Sequence, residues 1–233
     1  MISGRDNRIS GGKIRNFIVG MDAVVLSYGD TLIRQSDLNI IKSDQWLNDQ
    51  IIGFFFEFCQ NEKHSGSGCI FPGPEVTQCI KLIEAEQLSV ILGPLTLSSH
   101  TAVFLPVNNN QDPDSPGGSH WSLLVLDNRN KIFYHLDSLS DNVRGANSSE
   151  AKALAGKISQ YEGIKLNIRE VPVTQQKNGF DCGVHCLVNA DRVANHIKDH
   201  QSLTDIKSLQ DPVCNKRTEI LELIDKLKNL NSS

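Results

Sequence analysis

The residues of this chain able to do covalent chemistry gather around one sulfur. Residues 175–186 read Gln-Gln-Lys-Asn-Gly-Phe-Asp-Cys-Gly-Val-His-Cys, a polar loop with a glycine in it that runs into Cys182. Beyond it, Val184, Leu187, Val188, Ala190 and Val193 recur at three- and four-residue spacing, the period of a helix with one buried face. Asp181 is a good N-cap residue, which puts Cys182 in the first helical turn. There the unpaired backbone N–H groups and the positive end of the helix dipole favour an anion, and the thiolate is the form of cysteine that attacks carbonyls. The ordinary fate of a Cys near a helix start is nonetheless to be a small, inert core residue. A nucleophile needs partners.

Two candidates stand at the ends of one expected hairpin. Residues 120–127 read as a strand opening on His120, residues 131–136 as its return, and Asp137 follows. Antiparallel pairing brings the two together. An Asp carboxylate that holds an imidazole by its Nδ1–H favours the imidazolium, so Cys182, His120 and Asp137 form a Cys/His/Asp triad if the helix start points at that end. His120 then takes the thiol proton and later gives it to the leaving amine. Gln176, in the loop before Cys182, is the expected side-chain donor of an oxyanion hole, with the Cys182 N–H as the second donor. Gly179 and Gly183 are expected to let the backbone bend and approach closely. His185, one turn after Cys182, is a competing base without a carboxylate behind it, and His135 is a neighbour on the second strand. Cys182, His185 and Cys186 lack the second ligand pair that structural zinc takes, so no metal and no other cofactor is expected.

The elements that must position these groups follow from pattern. Ser43 or Asp44 is expected to cap a helix with Trp46 in its first turn. Ile51, Ile52, Phe54, Phe55, Phe56 and Phe58 make it apolar around most of its circumference, hence central. Trp46 either projects toward a cleft or packs in the core. Residues 59–74 read as loop, 75–85 as a helix opened by Pro74, and a further turn or two ends at Gly93-Pro94. Strands are expected at 101–107 and 164–171, helices at 149–161 and 217–230, and a surface loop at 108–119 that borders the site and could gate it. The order gives an α+β fold around a small mixed sheet flanked by helices. Residues 1–20 read as a disordered extension (a transit peptide is a weaker alternative) and 21–230 as one catalytic domain; Met21 could be an alternative start.

Composition narrows the function. Lys and Arg total 23 against 27 Asp and Glu, a net charge of −4 with no basic block, which argues against a nucleic-acid binder. No apolar run is long enough to span a membrane, and no secretory signal is evident, so a reducing cytoplasmic or nuclear setting is expected. The six Cys form no disulfide framework. Asn147-Ser148-Ser149 and Asn231-Ser232-Ser233 match a glycosylation pattern and read as polar loops.

His120-Trp121-Ser122, Asp137-Ser138 and the 176–183 run Gln-Lys-Asn-Gly-Phe-Asp-Cys-Gly resemble the signatures of the ubiquitin-like-protein proteases, the sentrin-specific (Ulp/SENP) cysteine protease family. Asp137 lies 17 residues after His120, and Trp46-Leu47-Asn48-Asp49 matches a further motif. From about Met21 to Ala194 the chain is similar to that family, above all to its small deneddylase members, with further likeness at 21–28, 35–38, 74–78 and 118–125. The resemblance implies a papain-like fold and a monomeric thiol protease acting after the terminal Gly-Gly of a ubiquitin-like modifier. The neddylation modifier is the expected partner, in precursor trimming and in release from target lysines. It gives Trp46 and Trp121 the role of covering a narrow tunnel for the Gly-Gly tail, with Asn48 and Asp49 where the tail enters. The same chemistry on the sumoylation modifier, acyl transfer, and an inactive modifier-binding module are the alternatives.

Overall fold

A computed structural model describes residues 22–112, 117–140 and 144–231. The expected disordered extension at 1–20, Met21, and residues 113–116 of the 108–119 loop lie outside the described residues. A mixed five-stranded sheet runs β3 (Cys69–Ile70), β4 (Ala102–Asn108), β5 (Trp121–Asp127), β6 (Ile132–Leu136) and β7 (Ile168–Glu170), in that spatial order. The outer pairs are parallel and the inner pairs antiparallel. A separate hairpin pairs β1 (Val24–Tyr28) with β2 (Thr31–Arg34).

Helices cover both faces of the sheet. On one side α2 (Asp49–Phe58), α6 (Cys182–His200) and α7 (Lys216–Asn231) pack with Phe104, Leu123, Val125, Tyr134 and Leu136 into one apolar cluster. On the other, α3 (Pro74–Leu82), α4 (Leu88–Leu95) and α5 (Ser148–Glu162) enclose Val103, Leu105, Leu124, Leu126 and Phe133. Strands buried on both faces carry nearly continuous apolar runs, which is why 121–126 reads Trp-Ser-Leu-Leu-Val-Leu without alternation. The α+β architecture around a small mixed sheet is the one expected.

Several boundaries differ from expectation for local reasons. Asn48, not Ser43 or Asp44, caps α2: its side chain accepts the Ile51 N–H at 3.0 Å. Ser43 instead donates to the Asn39 carbonyl at the end of α1 (Gln35–Ile41). Trp46 therefore lies in the irregular segment between α1 and α2. Cys59–Lys63, expected as loop, is a π-type turn continuing α2, and the following chain adds the short strand β3. Pro94 falls inside the last turn of α4, where the helix runs on to Leu95 and ends at Thr96. The strand expected at 164–171 shortens to β7.

Candidate active site

The antiparallel register of β5 and β6, with Leu123 opposite Leu136, sets the first contact of the site. It leaves His120 just before one strand and Asp137 just after the other, and His120 Nε2 lies 2.6 Å from Asp137 Oδ1. The bonded nitrogen is thus Nε2, where the sequence suggested Nδ1. Nε2 being engaged, Nδ1 is left for Cys182, with which His120 also hydrogen-bonds. Burial works against a charged imidazole, but the Asp137 and Cys182 hydrogen bonds outweigh it and push the His120 pKa up to about 9. Burial likewise acts to raise the Asp137 pKa. The His120 imidazolium and the N–H groups of Asn147 and Leu139 win, and hold the carboxyl below its ordinary range.

Cys182 is the first residue of α6 and is buried at the floor of a cleft. Asp181 holds the N-cap position without a side-chain cap, which corrects the expectation. Its carboxylate instead takes Arg217 Nε at 3.0 Å and Nη2 at 2.9 Å. Arg217, on α7, also donates to the carbonyls of Ile40 at 3.1 Å and Gln45 at 2.7 Å, so one guanidinium ties the nucleophile loop to the segment carrying Trp46. Gly183 is where close approach matters: a Cβ there would lie 2.9 Å from Leu47 Cβ. Gly179 meets no such neighbour, contrary to expectation, and contributes its carbonyl instead.

That carbonyl accepts the Trp46 indole N–H at 2.5 Å, while the Trp121 indole donates to Leu47 O at 2.9 Å. Trp46 is 50% exposed and Trp121 is 8% exposed, which places Trp46 at the cleft and not in the core. Both line a cavity of about 630 Å³ together with His120 and Cys182. Asn48 and Asp49 also border it, although Asn48 is committed to its cap and to Asp37 at 2.7 Å. Gln176 sits in the loop before Cys182. Its Nε2 gives one hydrogen to Asn178 O at 2.7 Å, and its Oε1 accepts from Ser138 at 2.8 Å, which leaves its second amide hydrogen outside these two bonds; it is not among the residues lining the cleft.

The competing histidines resolve by direction. His185 faces Thr174, and burial lowers its pKa, so it is held neutral away from the sulfur. His135 bonds to Ser122 and Glu170 behind the sheet. Cys186 points its thiol at the Ser122 carbonyl, 3.4 Å away. The ends of the 108–119 loop are joined by Asn109, whose side chain accepts the N–H groups of Ser119 and His120. Asn147, read from sequence as polar loop, is buried behind the His120–Asp137 pair, and a Cβ on Gly145 would collide with Asp137. Neither residue carries a sequence signal beyond a turn-like composition, and Arg217 lies in a helix with no link in sequence to the site.

Residues 95–223 match the Ulp1 protease family, C-terminal catalytic domain. Sentrin-specific protease 8 of Rattus norvegicus is 37% identical over 220 residues, covering 91% of this chain and 99% of that protein. NEDD8-specific protease 1 of Arabidopsis thaliana is 32% identical over 215 residues, covering 88% of this chain and 94% of that one. Among solved structures, the C-terminal Ulp1 protease domain in complex with SMT3, the yeast ortholog of SUMO, has a TM-score of 0.68 at 19% identity over 88% of each chain, a likeness of fold. With a family match across more than half its length, and near-full-length relatives whose identity exceeds the range of shared fold alone, this chain belongs to the Ulp1 family of cysteine peptidases.

Proposed function

We propose that this peptidase is a deneddylase. It cleaves after the C-terminal Gly-Gly of a NEDD8-type modifier, trimming its precursor and freeing it from target lysines. The observation that carries this reading is the cleft itself: Trp46 and Trp121 line the same cavity as Cys182 and His120, with the His120–Asp137 contact at 2.6 Å beside it. The relative named NEDD8-specific protease 1 supports the choice of modifier.

The chemistry follows from the geometry. His120, charged through its contact with Asp137, pairs with the Cys182 thiolate. The sulfur attacks the carbonyl of the terminal Gly, forming the C–S bond, and the negative oxygen is met by the Cys182 N–H and Gln176 Nε2. Collapse breaks the C–N bond, and the His120 proton leaves on the lysine or peptide amine. Water, deprotonated by His120, then attacks the thioester and releases the modifier carboxylate and the thiol. If the two indoles cover the tail as the family resemblance implies, the slot admits residues without side chains and rejects larger ones, so specificity for Gly-Gly is in part steric exclusion.

The test is covalent trapping with NEDD8, the sumoylation modifier and ubiquitin, each carrying an electrophile in place of its terminal Gly carboxylate. The expected outcome is an adduct with NEDD8, abolished by Cys182→Ala while NEDD8 binding persists. An adduct with the sumoylation modifier in preference to NEDD8 would keep the enzyme and overturn the substrate. No adduct from a folded protein would leave only a modifier-binding role.

A further inference from the structure

Asn147 closes the inner side of the catalytic pair, and no step above uses it. It is 1% exposed, at the turn into α5. Its backbone N–H donates to Asp137 Oδ2 at 2.9 Å. Its side-chain Nδ2 points among three acceptors, Val107 O at 3.1 Å, Ser122 Oγ at 3.2 Å and His120 O at 3.3 Å. One residue thus touches the carboxylate, the main chain of the imidazole residue, and strands β4 and β5. Behind it the bonds continue: Ser122 Oγ lies 3.0 Å from His135 Nε2, and His135 Nδ1 lies 2.8 Å from Glu170 Oε2.

The directions of these bonds can be assigned. An amide nitrogen only donates, so Ser122 Oγ accepts from Asn147 and keeps its own hydrogen for His135 Nε2. The Glu170 carboxylate in turn requires the proton on His135 Nδ1. Ser122, His135 and Glu170 have the bonding order of a serine-hydrolase triad. Ser122 is only 1% exposed, however, so no substrate carbonyl reaches it. A chain of bonds of this kind, buried at Asn147, Ser122 and His135 and ending on the exposed Glu170, acts as a support.

We propose that Asn147 is a positioning residue of this protease. It pins the turn into α5 whose own N–H holds Asp137 Oδ2, and so fixes the carboxylate against His120, while Ser122, His135 and Glu170 hold Asn147 in place. With Oδ1 shared by His120 and the Leu139 N–H, and Oδ2 held by the Asn147 N–H, the Asp137 carboxylate cannot rotate away from the imidazole. Removing the Asn147 side chain frees the turn to drift, and the Asp137 contact with it. The proposal rests on the assignment of Cys182, His120 and Asp137 as the catalytic groups.

The experiment is steady-state cleavage of NEDD8 carrying a fluorogenic C-terminal amide by wild type, Asn147→Ala and Cys182→Ala, across pH. Misplacement of a catalytic group by about 1 Å costs on the order of 100-fold, so Asn147→Ala is expected to lower kcat by about 30- to 100-fold with KM within about twofold. Its high-pH limb is expected to move down by about one pH unit, because the imidazolium loses its aligned partner. A folded Asn147→Ala protein with kcat within about threefold of wild type overturns the proposal. So does a loss that matches the unfolded fraction while the pH limb stays put. If Asn147→Ala does not fold, Ser122→Ala carries the test, with a threefold to tenfold fall in kcat at constant KM expected on the order-of-magnitude scale of one lost supporting bond; an unchanged kcat overturns the proposal. A wild type that cannot cleave, or a Cys182→Ala protein that can, sinks the catalytic assignment itself. Full kcat in the Asn147 and Ser122 variants of an otherwise Cys182-dependent enzyme sinks this inference alone.

Discussion

Two opposed forces act on the His120 imidazole: burial disfavours its charged form, and Asp137 with Cys182 favours it, bringing its pKa to about 9. That value lies above the ordinary 6.5, so the charged imidazole contributes stability that is fully present below about 6.5 and is lost as pH rises through about 9. Asp137 has the opposite sign. Its depressed pKa contributes stability present above the ordinary 3.8 and lost as pH falls. Because the leaving amine takes its proton from the His120 imidazolium, kcat/KM, which reports the free enzyme, is expected to decline above a pH of about 9. Asp137→Asn is expected to move that limb downward and to lower kcat. A pH–rate series checks this, and a limb that does not move in Asp137→Asn would show that the carboxylate is not what holds the charge. The three residue types and their order were legible in the sequence. Which ring nitrogen faces the sulfur was not, because that depends on the side from which the carboxylate approaches.

Elements converge on the nucleophile from distant parts of the chain. The α6 periodicity was plain in sequence, and so was the apolar character of α2, whose Ile51, Ile52, Phe54, Phe55 and Phe56 are all buried. What sequence could not supply was the clamp between them. Arg217 of α7 bonds Asp181 on one side and the carbonyls of Ile40 and Gln45 on the other, and its cation lies 5.7 Å from the Phe180 ring. Replacing Arg217 by Met keeps much of the packing but strips the donors. The expected result is a loss of about 2 kcal/mol in stability, as for a partly buried charge pair broken on one side, together with a fall in kcat/KM of about tenfold. Urea denaturation and steady-state kinetics measure the two. Full activity in a destabilised Arg217→Met protein would mean that the clamp serves the fold and not the cleft.

Across the whole molecule, the site sits where one helical layer meets the end of the sheet, and an ionic knot at that layer's edge joins three of its elements. Asp191 of α6 accepts Lys63 Nζ at 2.7 Å and His64 Nε2 at 2.9 Å, with Lys216 of α7 at 3.9 Å. Burial acts to raise the Asp191 pKa, but His64 and Lys63 pull it down to about 2. Its contribution to stability is therefore present above the ordinary 3.8 and lost as pH falls through about 2. Asp191→Asn leaves the buried His64 without its carboxylate, while Lys216 keeps Glu219 at 3.2 Å, and is expected to cost about 2 kcal/mol. The catalytic rate of the folded variant is expected to match wild type at neutral pH, because none of these groups touches the cleft. Denaturant melts at pH 7 and pH 3 check it; equal stability of the two proteins at pH 7 would remove the knot from any account of the fold.

Residue type and spacing picked out Cys182, His120 and Asp137 as a conditional triad, because chemistry restricts which side chains can serve and hairpin pairing brings the strand ends together; the role of the two indoles came only from the family resemblance. The apolar runs determined the sheet and its helical cover in the same way, through the period at which burial must recur. Only the tertiary structure decided that Trp46 faces the cleft, that Asp181 serves Arg217 and not the helix cap, and that Asn147 is buried behind the catalytic pair. Each of those depends on a partner more than 30 positions away or on the far side of a turn. Local pattern carries the identity of a polar side chain but not the direction from which its hydrogen-bond partner arrives.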